Sequence, residues 1–284
     1  MSTVIGVTSD GLLLPGSGQP AAPAVVLPGA DARPLDRQLA EVAAVLENAG
    51  YLVVLVPDWA PPVQRLRLRR IRALLECDRV ALVPTALPPL AVAVLAAQLR
   101  QIARYDLGPG VIASAAGLLG HYLYAGAVLG SLARLDRVPV ALPAHLASWM
   151  PGVWFAVLAA PERRLVKVTE DARLPGPSFA TGLTLAADAP GTPGADWVRN
   201  RLAADWRCGQ LTETARPSDS AHWWGTSRSA EFTAHITDVG VLCRLVAAAH
   251  REPCRWCGLE LLGDRCAFCA TGNLPLPRRT APAT

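Results

Sequence analysis

The amino-acid sequence predicts an α/β fold: a Rossmann-like, mostly parallel sheet, then a smaller α+β region, then a short cysteine-bearing ribbon. Three observations carry this. Residues 25–84 alternate strand, helix, strand, helix, strand, as VVLPG, DRQLAEVAAVLENAG, YLVVLVPDW, VQRLRLRRIRALLEC and DRVALVP. Near residue 150 the texture changes to a hairpin pattern and Pro/Gly-rich loops. Four cysteines near the C-terminus fall in two CxxC pairs within CRWCGLELLGDRCAFC. The expected domains are 1–150, 151–250 and 251–270, with a disordered tail over 271–284.

Taken in order, residues 3–8 (TVIGVT) read as a first strand and residues 10–24 as a Gly/Pro/Ala loop. Val25–Leu27 is a short buried strand. The following helix places Leu35, Leu39, Val42, Ala43 and Leu46 on one face, at helical spacing, and Gly50 is suited to end it. Tyr51–Val56 is a β-branched and aromatic run of the kind buried on both faces of a parallel sheet. A second helix opens at Pro61-Pro62, with Val63, Leu66, Ile71, Leu74 and Leu75 expected toward the sheet and an arginine run outward. Val80–Val83 is the next strand, and Pro88-Pro89 starts a third helix. An apolar helix is expected over 112–135 and a further strand over 138–142. Beyond 150, Trp154–Leu158 and Leu165–Thr169 read as a hairpin. Residues 171–194 and 207–230 read as loops, 196–206 as helix and 231–236 as strand, before a helix capped by Thr237 or Asp238.

Composition narrows the class. The chain has 284 residues, 51% of them apolar, enough for a sizeable core. A net charge of +4 permits nucleic-acid contact without demanding it. MSTVIGVTSDG has no basic region ahead of an apolar run, so it reads as a strand rather than a signal peptide. Seven cysteines, four of them in CxxC spacing, argue for a reducing compartment and a metal rather than disulfides; the expected location is cytoplasmic. Three stretches, 80–99, 107–133 and 138–161, lack Asp, Glu, Lys and Arg and are long enough to span a bilayer. The middle one carries Gly126-x-x-x-Gly130, a close-packing pattern of membrane helices. Prolines at 84, 88, 89, 139, 143 and 151 interrupt the other two, and buried segments of an α/β core account for all three.

The text AVVLPG, ENAGYLVVLVPD and RALLECDRVALVP resembles the nucleoside 2-deoxyribosyltransferase-like family, and its small relatives of the DUF4406 type more closely. The match covers about sixty residues. The resemblance implies a nucleoside-binding α/β domain, but the family's chemistry does not transfer. The family's Asp on the second helix corresponds to Arg70. The helix that should bear the nucleophilic Glu is TALPPLAVAVLAAQL, without a carboxylate, and glycosyl transfer through a covalent intermediate needs that group. The domain therefore reads as degenerate. In open α/β sheets ligands sit at the carboxyl ends of the strands. There Gly29 would admit a ligand to the backbone, Asp31 and Asp58 could accept from a ribose, and Thr85 ends the third strand of the unit.

Cys254, Cys257, Cys266 and Cys269 form two knuckles that aim four thiolates at one ion, the ligand set of a structural zinc. The module is similar to short zinc ribbons, with Arg255 where a knuckle proline is usual. Being short and terminal, it is expected to leave the α/β domain standing when lost. The arginine helix could meet phosphates but reads as a solvated face. His222-Trp223-Trp224 could stack bases but reads as a loop anchor. His121 reads as a buried histidine, and Cys77, Cys208 and Cys243 as small apolar residues. The expectation is a non-catalytic binding or scaffold protein with a zinc ribbon for a protein or nucleic-acid partner, and a weak nucleoside or nucleotide ligand. The alternatives are a nucleoside N-glycosidase or deoxyribosyltransferase-like enzyme using Asp31 or Asp58, and a membrane-associated component.

Overall fold

The computed structural model describes residues 2–15, 21–29, 31–150, 152–188 and 192–273. Beyond 273 the expected tail lies outside the described residues. The strands β1 (Ser2–Val7), β2 (Ala24–Val26), β3 (Gly50–Pro57) and β4 (Val80–Thr85) form a parallel sheet in the order β2-β1-β3-β4. Helix α1 (Leu35–Ala49) connects β2 to β3, and α2 (Pro62–Leu74) connects β3 to β4. The alternation read from residues 25–84 is therefore the observed one. β3 lies at the centre, with Leu52, Val53, Val54 and Leu55 wholly buried, as its continuous apolar run requires.

One helix face differs from expectation. On α2 the buried residues are Gln64, Leu68 and Ile71, while Val63 and Leu74 are 66% and 60% exposed. Hydrogen bonding sets the rotation. Gln64 Nε2 donates to Thr8 O (2.8 Å) and Leu27 O (3.0 Å), satisfying carbonyls just past the ends of β1 and β2. The arginines are not all solvated either: Arg67 donates to Gln38 Oε1 (2.6 Å) and to Arg33 O (2.5 Å).

Helix α3 (Pro89–Ile102) explains the charge-free 80–99 stretch. It packs on β1 and β3 of the parallel sheet and on β10 (Ser229–His235) of a second sheet, so nearly every side chain is buried. Helix α4 (Pro109–Gly120) follows, and the apolar run then turns to strand as β5 (Tyr124–Leu129). The helix expected over 112–135 thus ends at Gly120. Gly126 shows why the strand wins: a Cβ there would lie 2.2 Å from Val157 O and 2.5 Å from the Phe232 ring. The G-x-x-x-G pattern belongs to a sheet centre rather than to helix packing. His121, at the exposed end of α4, is not the buried histidine expected. No helix among the described residues is long and apolar enough to cross a membrane.

The second sheet has six strands in the order β7-β6-β5-β10-β8-β9, with β8 and β9 parallel and the other pairs antiparallel. The strand expected over 138–142 is absent, and α5 (Leu142–Ala147) begins at its last residue; then come β6 (Phe155–Ala160) and β7 (Arg164–Lys167), the expected hairpin. β8 (Gly182–Ala186) lies where only loop was read. A helical segment follows as α6 (Pro193–Trp197), a π-turn over Val198–Leu202 and α7 (Ala203–Asp205). β9 (Gln210–Thr214) and α8 (Ser220–Trp223) also fall in an expected loop. β10 (Ser229–His235) is central, flanked by β5 and β8. The aromatic rings of Tyr124, Trp206 and Phe232 pack edge to face beside it. In α9 (Val239–Ala248), Asp238 Oδ1 accepts from Gly240 N (2.7 Å) and Val241 N, the expected cap. A hairpin of β11 (Arg251–Pro253) and β12 (Glu260–Leu262) opens the C-terminal cysteine cluster. The chain is thus a mixed α/β fold with a parallel sheet and a C-terminal cysteine cluster. β5, on the N-terminal side of the expected boundary at 150, lies in the second sheet.

Candidate functional site

Tryptophan side chains pack near the carboxyl ends of β3 and β4. Trp59 follows β3, is nearly buried and donates its indole N–H to Leu87 O (3.0 Å). Trp223 and Trp224 pack in the same core, Trp224 fully buried; they anchor the loop and offer no stacking face. The Arg137 guanidinium lies 5.7 Å from the Trp223 ring centre and 3.5 Å from Asp58 Oδ1. Ser9 Oγ donates to Asp219 Oδ2 (2.8 Å), tying the end of β1 to the loop before α8.

The four residues expected to bind a ligand at the strand ends separate into two places. Asp58 and Thr85 are neighbours, Asp58 N donating to Thr85 O (2.8 Å), and Thr85 Oγ1 accepts from Leu87 N. Gly29 and Asp31 follow β2, with β1 between them and Asp58 in the sheet. Asp31 is exposed, and Gly29 has open space where a Cβ would stand.

Close to the start of α3, Glu231 of β10 is 1% exposed. Its Oε2 accepts from Leu90 N (3.1 Å), in the first turn of α3. Pro88 and Pro89 offer no N–H there, so the Leu90 amide is an early donor of the helix. Burial pushes the Glu231 carboxyl up to about 7, against the opposing influence of Ser220, the Leu90 amide, Trp224 and Arg216.

The open space lies elsewhere. A cavity of about 520 Å³ is lined by residues of α3, β8, β9 and the end of β10, a volume suited to a small organic ligand. Leu14, Pro15, Ala21, Val94, Ala97 and Ile236 supply apolar wall. Gln98, Arg100, Gln101, Thr184, Gln210, Thr212, Thr214, His235 and Thr237 supply polar groups. His235 faces Ile236 O through Nδ1 (3.3 Å) and Thr184 Oγ1 through Nε2 (3.1 Å). A carbonyl can only accept, so Nδ1 carries the proton and Nε2 accepts from the threonine hydroxyl. Burial lowers the His235 pKa, outweighing the opposite effect of the Ile236 contact, and keeps this ring neutral.

Glu213 is at the wall too, but Arg199 neutralises it through two contacts, Nε to Oε1 (2.6 Å) and Nη2 to Oε2 (2.9 Å). That hydrogen bond is the main cause holding Glu213 below the ordinary carboxylate range. Arg100 donates Nε–H to Ala22 O (2.8 Å), with no acceptor for its two terminal nitrogens among the described residues. It is the cation on the cavity wall without a carboxylate partner among those residues. None of these residues stood out in the sequence. They come from distant segments, and no motif joins them.

No protein-family model matches the chain, and no curated protein sequence matches it. Solved structures do. A DegV family protein from Thermus thermophilus, described for fatty acid binding, has a TM-score of 0.58 at 12% identity, over 83% of this chain and 100% of its own. A DegV family protein from Eubacterium eligens, loaded with heptadecanoic acid, has 0.54 at 12%, over 83% and 100%. The fatty acid kinase B3 protein from Streptococcus pneumoniae, loaded with linoleic acid, has 0.52 at 10%, over 84% and 100%.

The chain shares its fold with DegV family proteins. This overturns the resemblance to nucleoside 2-deoxyribosyltransferases, which rested on about sixty residues of βαβ periodicity. The nucleoside-binding scaffold, its enzymatic alternative and its expected protein, nucleic-acid and nucleoside partners fall with it. The four residues expected to hold a ribose do not converge: β1 lies between the end of β2, which carries Gly29 and Asp31, and the end of β3, which carries Asp58.

Proposed function

We propose that this chain binds a long-chain monocarboxylic acid of the fatty acid class, held in the cavity between α3 and the six-stranded sheet. The observation that carries the reading is that cavity, with its apolar wall and a guanidinium, Arg100, that has no carboxylate partner among the described residues, in a fold whose solved neighbours include proteins loaded with heptadecanoic and linoleic acids. The alkyl chain lies on Val94, Ala97, Leu14 and Ile236, where burial of apolar surface drives binding. Arg100 takes the carboxylate, the pairing to which a planar guanidinium is matched. The neutral His235 ring and the threonine hydroxyls complete the hydrogen bonding without adding charge.

The test is titration of delipidated protein with stearate by calorimetry, together with mass spectrometry of lipids extracted from freshly purified protein. One acid per chain is expected. Ala97→Trp, which fills the cavity, abolishes binding. Arg100→Gln weakens it by roughly ten- to a hundredfold, the cost of one charged hydrogen bond. No extracted lipid and no heat of binding, or binding indifferent to Ala97→Trp, would overturn the proposal.

Two finer readings accompany it. The alternation of β1 to β4 with helices supports a Rossmann-like description of the N-terminal domain, ahead of an α+β region over 151–250. The two CxxC pairs support a zinc ribbon over 251–270. Four thiolates leave zinc no open position, so its part is structural and separate from the ligand cavity.

A further inference from the structure

The cysteine module is not an appendage. Leu261 and Phe268 are buried, at 1% and 0% exposure, and share one core with residues of α3, α4 and both sheets. Four contacts fasten the module to the parallel-sheet half. Along α4, Gly110 lets the module backbone approach: a Cβ at 110 would stand 2.2 Å from Glu260 O. One turn on, Ser114 Oγ accepts from Leu262 N (2.8 Å) while donating to Gly110 O (2.7 Å). On the sheet, the Phe268 ring meets Tyr51 edge to face at 5.7 Å, and Arg72 of α2 donates to Phe268 O.

The cysteines are arranged for one ion. Cys254 Sγ and Cys269 Sγ lie 3.5 Å apart, Cys257 Sγ and Cys266 Sγ 3.6 Å, and all four sulfurs fall within 4.8 Å of one another. A tetrahedral zinc with bonds of about 2.3 Å sets its sulfurs about 3.8 Å apart. An iron–sulfur cluster places two or more irons among its thiolates and spreads them further. The two knuckles are also copies of one turn. Gly258 N donates to Cys254 O and Ala270 N to Cys266 O, both at 2.9 Å. Cys254 N reaches Leu259 O and Cys266 N reaches Thr271 O. Gly258 and Ala270 both have left-handed backbone, φ +75° and +61°. An alanine in that conformation is costly, and the paired turns hold the two CxxC segments facing each other.

Phe268 joins these observations. It lies between Cys266 and Cys269, so whatever fixes the second knuckle also fixes the ring against Tyr51. We infer that one zinc ion, held by Cys254, Cys257, Cys266 and Cys269, locks residues 251–273 into the core against α4 and β3, making the stability of the parallel-sheet half depend on metal. This rests on the zinc-ribbon reading and contradicts the expectation that the domain stands without its ribbon.

Full-length protein is analysed for metal by mass spectrometry, then compared with and without chelation by thermal unfolding and amide hydrogen exchange. The expected result is one zinc per chain. Its removal lowers the unfolding temperature and raises exchange at least tenfold at α4 amides and at Tyr51. Phe268→Ala retains the zinc yet gives the same loss of protection, with a shift on the order of 10 °C. Zinc bound and removable with α4 protection unchanged overturns the lock while leaving the zinc-ribbon reading intact. Absence of metal, or iron with visible absorbance, overturns the zinc reading and the lock with it.

Discussion

Glu231 and His235 lie four residues apart on β10, and burial acts on them in opposite senses. Folding takes Glu231 from its ordinary 4.5 to about 7. Between those values the folded chain keeps a proton that the unfolded chain has lost. The contribution is full in acid and disappears as pH rises to 7, in all about 3 kcal/mol. For His235 the folded pKa is depressed, so the unfolded chain takes the proton first. Its contribution is full at neutral pH and is lost as pH falls below the ordinary imidazole range. The two oppose each other in mild acid, so the difference between wild type and Glu231→Gln isolates the acid. We predict that this difference, from urea unfolding at pH 5 and pH 7.5, shifts in favour of the variant by about 2–3 kcal/mol as pH rises. A pH-independent difference would mean that the carboxyl is ionised throughout. No motif in the sequence marks His235. Its partner Thr184 sits on a strand that was read as loop.

Helices and strands show which patterns can be read locally. The stripe of α1 was legible because Val42 and Leu46 obey helical spacing and are buried together. The stripe of α2 was not, because its buried anchor is Gln64, a polar residue whose worth lies in two carbonyls of other strands. Gln64→Ala is predicted to cost about 1–3 kcal/mol, by stranding those carbonyls, whereas Leu66→Ala on the same helix costs within about 0.5 kcal/mol; equal losses in denaturant titrations would contradict the observed rotation. Glycine on adjoining elements gives a second contrast. Gly126→Ala forces a Cβ into Val157 O and the Phe232 ring, so soluble folded protein should fall sharply. Gly117→Ala, on the exposed face of α4 with nothing within 4 Å, is predicted to stabilise by about 0.5–1 kcal/mol. Differential scanning calorimetry separates these outcomes.

Across the whole molecule, α3 is the shared wall of the parallel sheet, the six-stranded sheet and the cavity. A ligand seated on it reports on both halves at once. Stearate at a hundred times its Kd should stabilise the full chain by about 2.7 kcal/mol, by mass action alone, and Ala97→Trp should show no such gain. A thermal shift that persists in that variant would locate the acid at another surface.

The order of strands and helices in residues 25–84 was set by the sequence alone, because hydrophobic period, proline and glycine act over neighbouring residues. So was the pairing of Cys254, Cys257, Cys266 and Cys269, since each knuckle is local. The tertiary structure decided the rest. The βαβ pattern recurs in many folds, so it could not distinguish a nucleoside-binding sheet from one that keeps Gly29 and Asp31 apart from Asp58 and Thr85. Nor could it place Arg100 on a cavity wall opposite His235, or Phe268 against Tyr51. Those meetings join segments far apart in the chain, and only the packing of α3 between two sheets brings them together.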